Sequence, residues 1–403
     1  MGIFKKLILG MSSMILVSQG LQGASNEDIN LLTRGSIKNK NFMATIPIEF
    51  RAGIPIVDVF IDGKNYKFMF DTGAFTIIPK KLKNKLNLQA LNTKIDIVDA
   101  AGEKDKLKLY TLPHLNMGGI DFYDFTVAVE DFSDKFPSSC LGFDGIIGYS
   151  FLRNLVLKLD YEHKKLYLSD RPMQHTGYNA TKIKFETRYA PLVKFDFGFG
   201  DVMMGIDTGK NDGILIGDST VSKKFLEKDY PSRKTVGIFS STFSGVGENR
   251  LRETFVVKEF YFAKKIKVDS FAVDIDNSGQ FLVGNEFLKN FSIIIDFKRK
   301  KAYFKELKSK HLVQGFEDDF GFSFFYNEEQ SLFISALEEN SPAQKAGLKL
   351  GDKVLELDGI DTLNFDANDF CRLILKKRYK EKQSLELVIH RDHSKILKKV
   401  LTK

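Results

Sequence analysis

Two copies of an acidic turn constrain the fold of this chain more than any other feature of its sequence. Asp-Thr-Gly occurs at residues 71–73 and again at residues 207–209, each time between apolar segments. Both copies are followed by an apolar stretch that ends in glycine, at Gly148 and at Gly284. One such turn carries little information, because Asp and Gly are common turn residues. Two copies followed by the same second motif predict a duplicated subdomain rather than a short solenoid repeat.

A constant shift of 136 positions, the difference between 207 and 71, relates the two copies without a gap. Beyond the turns and the glycines, the shift matches Phe151-Leu152 with Phe287-Leu288, Asn154 with Asn290, Asp160 with Asp296, Lys164-Lys165 with Lys300-Lys301 and Tyr167 with Tyr303. The repeat therefore runs from the acidic turn to the final strand of each copy. It predicts an N-terminal lobe over residues 25–172 and a C-terminal lobe over residues 173–308.

The segments between these motifs are short, apolar or alternating, and few of them are helical. Ile46, Ile48 and Phe50 alternate as in a half-buried strand, and Asp62-Gly63-Lys64-Asn65 predicts a hairpin turn with a return strand from Tyr66. Many short strands and few helices favour a mainly β architecture for both lobes.

Composition excludes several classes of protein. The chain has 403 residues, of which 43% are hydrophobic and 28% are charged, and this balance excludes wholesale disorder. The formal net charge is +8, but no basic run is interleaved with aromatic residues, so the sequence predicts no nucleic-acid partner. The sequence has no Gly-x-Ser-x-Gly elbow, no His-Glu-x-x-His motif and no phosphate-binding Gly loop, and the enzyme classes that use them find no support.

The N-terminus has the pattern of a secretory signal peptide over residues 1–24. Two lysines precede an apolar run, Leu7 to Val17, that is short for a bilayer span, and cleavage after Gly20 or Ala24 suits the small residues there. No other stretch is long and apolar enough for a membrane helix. The mature protein is therefore expected to be exported, to the periplasm or the extracellular space, with an uncleaved N-terminal anchor as the alternative.

The cysteines and histidines predict neither a disulfide nor a metal site. Cys140 and Cys371 fall in different segments, so two unpaired cysteines are expected rather than a bridge, although an exported protein permits one. His390 and His393 lie close together in an alternating stretch without further ligands nearby, and surface positions are expected for them. We expect no metal and no organic cofactor.

The two acidic turns predict a specific chemistry if a pseudo-twofold axis brings them together. Asp71 and Asp207 would then face each other where little solvent reaches, and two carboxyls at about 3 Å share one proton because both cannot ionise near neutrality. The ionised member takes a proton from water, and the protonated member hydrogen-bonds the scissile carbonyl. This pair therefore predicts hydrolysis of peptide bonds.

The other residues of the turns predict support for that pair. Gly73 and Gly209 let the backbone bend sharply and approach closely, since they have no side chain. Thr72 and Thr208 place hydroxyl groups where they can hydrogen-bond across the axis. We expect these four residues to fix the geometry of the two carboxyls.

With these residues the chain resembles the aspartic proteases over roughly residues 42–306. Ala74 after the first turn and the pattern Ile146-Ile147-Gly148-x-x-Phe151-Leu152 are most similar to the retropepsin-like branch, here with both lobes on one chain. The resemblance implies a pair of β-barrel lobes with Asp71 and Asp207 as the catalytic dyad. It also implies a flap at Ala101 and Gly102 that closes over substrate, with the segment from Gly237 to Gly247 as its partner.

The sequence departs from this family at Lys210, directly after the second turn, where a small or hydroxylated residue is usual. An ammonium that points at the dyad would favour ionised carboxylates and lower the working pH. A side chain that extends to solvent would have no effect. We expect Lys210 to tune activity rather than abolish it.

Residues 315–403 resemble a PDZ domain, a small α+β barrel. The motif Ser341-Pro342-Ala343-x-x-Ala346-Gly347-Leu348-x-x-Gly351-Asp352 carries this resemblance. It implies a carboxylate-binding loop at Phe320, Gly321, Phe322 and Ser323 that receives peptide C-termini or extended segments, with a helix from Asp366 as the other groove wall. A structural cap that binds nothing is the alternative.

Together these features predict an exported aspartic endopeptidase whose PDZ domain recruits polypeptide substrates. The alternative is an exported, non-catalytic peptide-binding protein with a protease-like fold. The distance between the two carboxyls and the direction of Lys210 distinguish the two predictions. Carboxyls within hydrogen-bond reach favour the enzyme, whereas a wide gap or a bridging Lys210 favours the binding protein.

Overall fold

The computed structural model describes residues 16–17, 32, 34–99, 104–131, 138–185, 190–239, 241–242, 245–246, 248–307, 315–316, 318–326, 331–376, 378–391 and 395–403. Its architecture is mainly β, as predicted. The signal peptide predicted over residues 1–24 lies outside these ranges except for Leu16 and Val17, so it stays a prediction. Among the described residues, no helix is both long and apolar enough to cross a membrane.

The first half of the molecule, residues 34–169, is built from short strands and three short helices. The strands, preceded by one at the N-terminus, are β1 (Leu16–Val17), β2 (Ser36–Ile37), β3 (Met43–Pro47), β4 (Glu49–Arg51), β5 (Ile54–Ile61), β6 (Lys64–Phe70), β7 (Ile77–Ile78), β8 (Ala90–Asp99), β9 (Lys104–Met117), β10 (Ile120–Val129), β11 (Gly145–Ile147), β12 (Val156–Asp160) and β13 (Lys165–Ser169). The helices are α1 (Lys80–Lys85), α2 (Ser138–Leu141) and α3 (Tyr149–Leu152).

The second half, residues 179–306, has a similar series of elements. Its strands are β14 (Asn179–Lys182), β15 (Leu192–Asp196), β16 (Asp201–Ile206), β17 (Ile214–Ile216), β18 (Ser232–Gly237), β19 (Ser241–Thr242), β20 (Gly245–Val246), β21 (Arg250–Val257), β22 (Phe260–Phe262), β23 (Ile266–Val268), β24 (Phe271–Ile275), β25 (Phe281–Val283), β26 (Phe291–Asp296) and β27 (Lys301–Glu306). Its helices are α4 (Val221–Leu226) and α5 (Asn285–Leu288).

Local sequence explains the hairpin that leads into the first acidic turn. Asp62 and Gly63 connect β5 to β6 and both have positive φ angles, 50° and 70°. A two-residue hairpin turn of this kind matches the twist of the flanking strands and favours Asp-Gly. The predicted hairpin is confirmed, but its turn is shorter than predicted, because Lys64 and Asn65 already pair with β5 as the start of β6. The hairpin brings the chain to Phe70 at the end of β6.

In both halves the strand that enters the acidic turn pairs in parallel with the apolar strand before the glycine. In the first half β6 pairs with β11, and in the second half β16 pairs with β25. The first residue of each turn extends this pairing, because Asp71 N–H donates to the Ile147 carbonyl at 2.9 Å and Asp207 N–H donates to the Val283 carbonyl at 3.0 Å. Each acidic turn is therefore fixed at the end of a buried strand pair.

A six-stranded sheet joins the two halves in the order β14-β27-β26-β12-β13-β3. At its centre β12 of the first half pairs antiparallel with β26 of the second half. The two strands are largely buried, so the halves share one hydrophobic core. Each large apolar side chain buried there contributes about 1.5–3 kcal/mol, which makes this sheet a rigid support for the turns.

The C-terminal part, residues 315–403, forms a smaller unit with its own core. Its elements are β28 (Phe322–Tyr326), β29 (Leu332–Glu338), α6 (Pro342–Lys345), β30 (Lys353–Leu357), β31 (Ile360–Asp361), α7 (Ala367–Lys376), a 3₁₀ helix (Arg378–Glu381), β32 (Ser384–Arg391) and β33 (Lys395–Thr402). Ser341 caps α6 by accepting a hydrogen bond from Gln344 N–H at 3.2 Å, and Pro342 occupies the first helical position, which favours a helix start.

The C-terminal part is attached to both halves. Strand β29 pairs antiparallel with β18 of the second half, at Thr235 with Glu338 and at Gly237 with Ala336. On the other side, a disulfide joins Cys140 in α2 to Cys371 in α7, with 5.1 Å between their Cα atoms. The expectation of two unpaired cysteines is therefore wrong. The two cysteines are 231 positions apart in the sequence, so local patterns do not predict which helices pack together, and here α2 lies against α7.

Candidate active site

The two acidic turns meet at the centre of the molecule. Asp71 and Asp207 are both fully buried, with no exposed surface. Each glycine packs against the carboxyl of the other turn, since a Cβ on Gly73 would lie 2.9 Å from Asp207 Oδ2 and one on Gly209 would lie 2.1 Å from Asp71 Oδ2. Any side chain at either glycine would collide with the opposite carboxyl, and this explains why both turns use glycine.

Two threonines hold the turns together through four hydrogen bonds. Thr72 Oγ1 donates to the Ile206 carbonyl at 2.7 Å and accepts from Thr208 N–H at 3.2 Å. Thr208 Oγ1 donates to the Phe70 carbonyl at 2.7 Å and accepts from Thr72 N–H at 3.0 Å. All four bonds are buried, where an unmade bond is costly, so they fix the relative position of the two turns.

The backbone orients each carboxyl in the same way. Gly73 N–H donates to Asp71 Oδ1 at 2.7 Å, and Gly209 N–H donates to Asp207 Oδ1 at 2.8 Å. Both Oδ2 atoms are buried, and neither has a hydrogen-bond partner outside the pair within the part of the chain that the structure describes. These two oxygens are therefore available for a shared proton and for a water molecule.

Burial changes the acidity of both aspartates. It raises the pKa of Asp71 to about 6, against the effect of the Gly73 N–H bond. Burial, together with the negative charge of Asp71, holds the pKa of Asp207 well above its ordinary value. The pair therefore retains one proton into the mildly acidic range, which is the state needed for general acid and base catalysis by one dyad.

The surroundings of the second turn are charged. Lys210 is fully buried and forms an ion pair with Asp212, so the alternative in which its side chain extends to solvent is excluded. Burial and the nearby positive charge of Arg252 lower the pKa of Lys210 to about 7. The ammonium is thus paired with Asp212 rather than bridging the carboxyls of Asp71 and Asp207.

Two further residues contact the second turn and were not predicted from the sequence. Asn285 Nδ2 donates to the carbonyl of Thr208 at 2.7 Å and to that of Lys210 at 2.9 Å. Tyr161, from the first half, donates its hydroxyl to Asn285 Oδ1 at 2.7 Å. Asn285 follows Gly284 directly, and this position next to the repeated motif is the one signal that could have identified it.

The predicted flap residues Ala101 and Gly102 lie outside the described residues. The strands on either side of them, β8 and β9, form an antiparallel hairpin. In the second half β18 and β21 form the corresponding antiparallel pair, and β19 and β20 pair in the segment between them. The described residues of the partner segment predicted from Gly237 to Gly247 lie in this second hairpin, whereas Ser240, Phe243, Ser244 and Gly247 lie outside the described residues.

The predicted carboxylate-binding loop precedes and begins strand β28. Phe320 is buried, Gly321 has a φ of 73°, and Phe322 and Ser323 start the strand. Gly321 N–H already donates to Asp319 Oδ1 at 2.9 Å. Among the described strands, β28 pairs only with β29, so its other edge is unpaired there.

A polar cleft of about 480 Å³ lies between this loop and the second half. Its lining includes Arg233 and Lys234 of β18, Asp318 and Asp319 of the loop, and Lys403. Among the described residues, no group of three or more His, Cys, Asp or Glu side chains is arranged to hold a metal ion.

Comparisons with known proteins agree with these features. Residues 57–151 match the family model of aspartyl proteases, and residues 333–382 match that of PDZ domains. No curated protein sequence matches the chain. Among solved structures, an aspartic proteinase from Irpex lacteus aligns over 66% of this chain and 98% of its own, with 13% identity and a TM-score of 0.42. The chain thus has a mainly β fold in which residues 57–151 are similar to aspartyl proteases and residues 333–382 to PDZ domains.

Proposed function

We propose that this protein is an exported aspartic endopeptidase whose dyad, Asp71 and Asp207, hydrolyses peptide bonds. One observation carries the proposal: the two carboxyls are buried together by turns that hydrogen-bond each other through their threonines. The Oδ2 atom of each carboxyl has no hydrogen bond to any other described residue. Burial of a carboxyl without a fixed counterion is costly, so a pair of this kind is expected where the chemistry requires it. The family match over residues 57–151 supports the same proposal.

The proposed reaction needs only the dyad and one water. The ionised carboxylate removes a proton from water as the water oxygen bonds to the scissile carbonyl carbon. The protonated carboxyl donates to the carbonyl oxygen and stabilises the tetrahedral intermediate. The first proton then passes to the leaving nitrogen as the C–N bond breaks, and the dyad returns to its singly protonated state. Thr72, Gly73, Thr208 and Gly209 keep the two carboxyls in position throughout.

Two features support export. The N-terminal 24 residues have the composition of a signal peptide, and the chain has a disulfide between Cys140 and Cys371. Disulfides persist in oxidising compartments and are rare in the cytosol. Mass spectrometry of the protein from separated cell fractions tests this part, because recovery of the chain from the cytosol with free thiols would contradict export.

For the PDZ domain we propose binding of extended polypeptide segments beside β28, which would bring substrates to the protease. The unpaired edge of β28 suits addition of a peptide strand. Peptide C-termini are the second class of ligand, but Asp319 already accepts the Gly321 N–H bond that a carboxylate would use. Binding of one peptide with a free or an amidated C-terminus separates the two classes.

The non-catalytic binding protein remains the alternative reading, and the direction of Lys210 argues against it. A lysine that bridged the dyad would abolish proton sharing, whereas here its partner is Asp212. Cleavage of a diverse peptide library from about pH 3 to 7.5, the range over which a coupled carboxylate pair titrates, tests the proposal.

The matched variants are Asp71→Asn and Asp207→Asn. Each replaces an acid with an isosteric amide, and we expect each to lower kcat/KM by about 10³-fold or more, because the pair acts as one unit. Cleavage that survives in either variant would contradict the dyad. Binding of peptides without cleavage by the wild type at any pH would establish the alternative.

A further inference from the structure

The polar groups around the two acidic turns differ at the same positions of each turn. In the first half, Thr76 Oγ1 accepts a hydrogen bond from Gly148 N–H at 3.0 Å. The carbonyl of Ala74 accepts another from Tyr149 N–H at 2.8 Å. These contacts attach the first turn to the start of α3 with a neutral hydroxyl and a backbone carbonyl.

A shift of 136 positions, the separation of Thr72 and Thr208, places Lys210, Asp212 and Asn285 at the equivalent positions of the second half. The backbone contact is retained, since Asn285 N–H donates to the Lys210 carbonyl at 2.8 Å. The side-chain contact is not retained. Gly284 N–H donates instead to the Gly213 carbonyl at 2.9 Å, and the Asp212 carboxylate pairs with the Lys210 ammonium.

Charged groups from three elements face Lys210 in this buried site. Asp207 and Asp212 lie on its own turn, Arg252 comes from β21, and Asp274 and Asp276 come from the end of β24. Arg252 has counterions of its own, at 2.9 Å from Asp276 and 3.6 Å from Asp274. Asp212 is therefore the partner within contact of the Lys210 ammonium among the described residues.

We propose that Lys210 and Asp212 are positioning residues, whose buried ion pair holds the second acidic turn as the Thr76 hydroxyl holds the first. Their second effect is on the dyad, because the ammonium sets a lower pH range for it than neutral residues would. This inference rests on the proposed function. It assigns to a charge pair a position that a small neutral residue fills in the first turn.

The sign of the effect follows from the charges. A cation beside Asp207 favours its ionised form and lowers the pKa of the dyad, whereas burial and Asp71 raise it. Removal of the cation leaves the hydrogen bond from Gly209 N–H to oppose the raising effects of burial and Asp71. The dyad then keeps its shared proton to a higher pH, and the alkaline limb of the activity profile moves upward.

The test exchanges the two residues for those of the first half. In Lys210→Ala/Asp212→Thr the second turn has the same residue types as Ala74 and Thr76, and the buried charge pair is removed as a unit. Lys210→Met removes the charge and keeps most of the side-chain length, and it leaves the buried Asp212 carboxylate without the Lys210 ammonium. Lys210→Arg keeps the charge, and Lys165→Met is the control for loss of an exposed lysine.

The readout is the pH profile of kcat/KM, which a purely structural role would not move. We expect both neutral variants to shift the alkaline limb upward by about one pH unit. Lys210→Arg and Lys165→Met should keep the limb of the wild type. Folded neutral variants whose limbs coincide with that of the wild type would overturn the inference.

A second measurement separates this inference from the proposed function. A double-mutant cycle on unfolding, with Asp207→Asn, Lys210→Met and both together, detects the electrostatic coupling between the two side chains without any catalysis. Non-additive effects in a protein that cleaves no peptide would retain the charge coupling and reject the protease. Additive effects would reject the coupling whether or not the protein is active.

Discussion

The two acidic turns share their backbone geometry and differ in what surrounds them. Both aspartates follow a buried parallel strand pair, and both accept a bond from the glycine two residues later. Beside the first turn the neighbours are mostly apolar, with Tyr149 near Phe297 of the second half at 6.4 Å between ring centroids. Beside the second turn the neighbours are Lys210, Asp212 and Asn285, the last bonded to Tyr161 of the first half.

Because the surroundings of the two turns differ, Asp71 and Asp207 are not equivalent acids. The hydrogen bonds that fix the two carboxyls are the same in both turns, so the arrangement of the two turns is symmetric. The charges are not symmetric, because a buried cation accompanies Asp207 alone among the described surroundings of the two turns. Symmetric variants should therefore have equal effects on stability, and variants of the surroundings should have unequal effects.

The largest expected effect concerns how each half holds the C-terminal part. The first half uses the Cys140–Cys371 disulfide, and the second half uses the β18–β29 pairing. We expect Cys140→Ala/Cys371→Ala to lower the free energy of unfolding by about 2–5 kcal/mol, since a long loop of chain is no longer closed. Denaturant unfolding measures this change.

Wild-type protein with its thiols reduced is the matched control for the cysteine variant and should lose the same stability. If neither sample loses stability, strand pairing alone holds the C-terminal part, and the two attachments are not comparable. A loss confined to a separate unfolding transition of residues 315–403 would show that the disulfide stabilises the C-terminal part alone and that the first and second halves do not depend on it.

The next effect tests the symmetry of the turns. Thr72→Val and Thr208→Val each remove a buried hydroxyl that makes two hydrogen bonds to the opposite turn. Each leaves one N–H and one carbonyl unsatisfied, so we expect each to cost about 1–3 kcal/mol, and the two costs to be similar. Thermal or urea unfolding provides the measurement. A large difference between the two variants would contradict the equivalence of the threonine hydrogen bonds in the two turns.

Some features of the fold and the site could be predicted from the sequence, because they depend on residues close together in the chain. The Asp62-Gly63 hairpin, the acidic turns and the start of α6 depend on residues close in the chain, so local patterns identify them. The repeat also identified Asp71 and Asp207 as partners, because a duplicated motif implies an axis that relates its copies.

The remainder depends on contacts between distant segments. The cysteines are 231 residues apart, and their pairing follows from the packing of α2 on α7, which no local pattern reports. Tyr161 reaches Asn285 across the boundary between the halves, over a separation of 124 residues. Lys210 was recognised as a departure from the family, but its partner Asp212 was not, because two residues of spacing in a loop does not determine which way a side chain points.

A third effect uses pH to test the acids themselves. Folding raises the pKa of Asp71 from an ordinary value of 3.8 to about 6, so the folded state binds more protons than the unfolded state between these values. Stability should therefore be highest below pH 4 for this group and fall as the pH rises towards 6, by at most about 1.4 kcal/mol per pH unit. The slope of unfolding free energy against pH measures it.

Asp71→Asn is the variant that isolates this slope, because the amide does not titrate and keeps the shape of the carboxyl. We expect the decline between pH 4 and 6 to be shallower in the variant, because Asp71 no longer titrates while Asp207, whose pKa is also raised, still does. The variant should be more stable than the wild type at neutral pH. A decline in the wild type that is no steeper than the decline in the variant over this interval would contradict the raised pKa of Asp71 and, with it, the shared proton.

The smallest expected effect concerns the hydrogen bond between Tyr161 of the first half and Asn285 of the second half. Tyr161→Phe removes the hydroxyl that donates to Asn285 Oδ1 and gives the second turn the kind of aromatic neighbour that Phe297 provides for the first. We expect a loss of about 0.5–1.5 kcal/mol, the usual net value of one hydrogen bond, with Tyr167→Phe in β13 as the control. Asn285 also holds the carbonyls of Thr208 and Lys210, so its loosening should reach the dyad and lower kcat more than it raises KM. If Tyr161→Phe leaves both stability and kcat unchanged, Asn285 holds the second turn without help from the first half, and the hydrogen bond between the halves contributes neither to stability nor to catalysis.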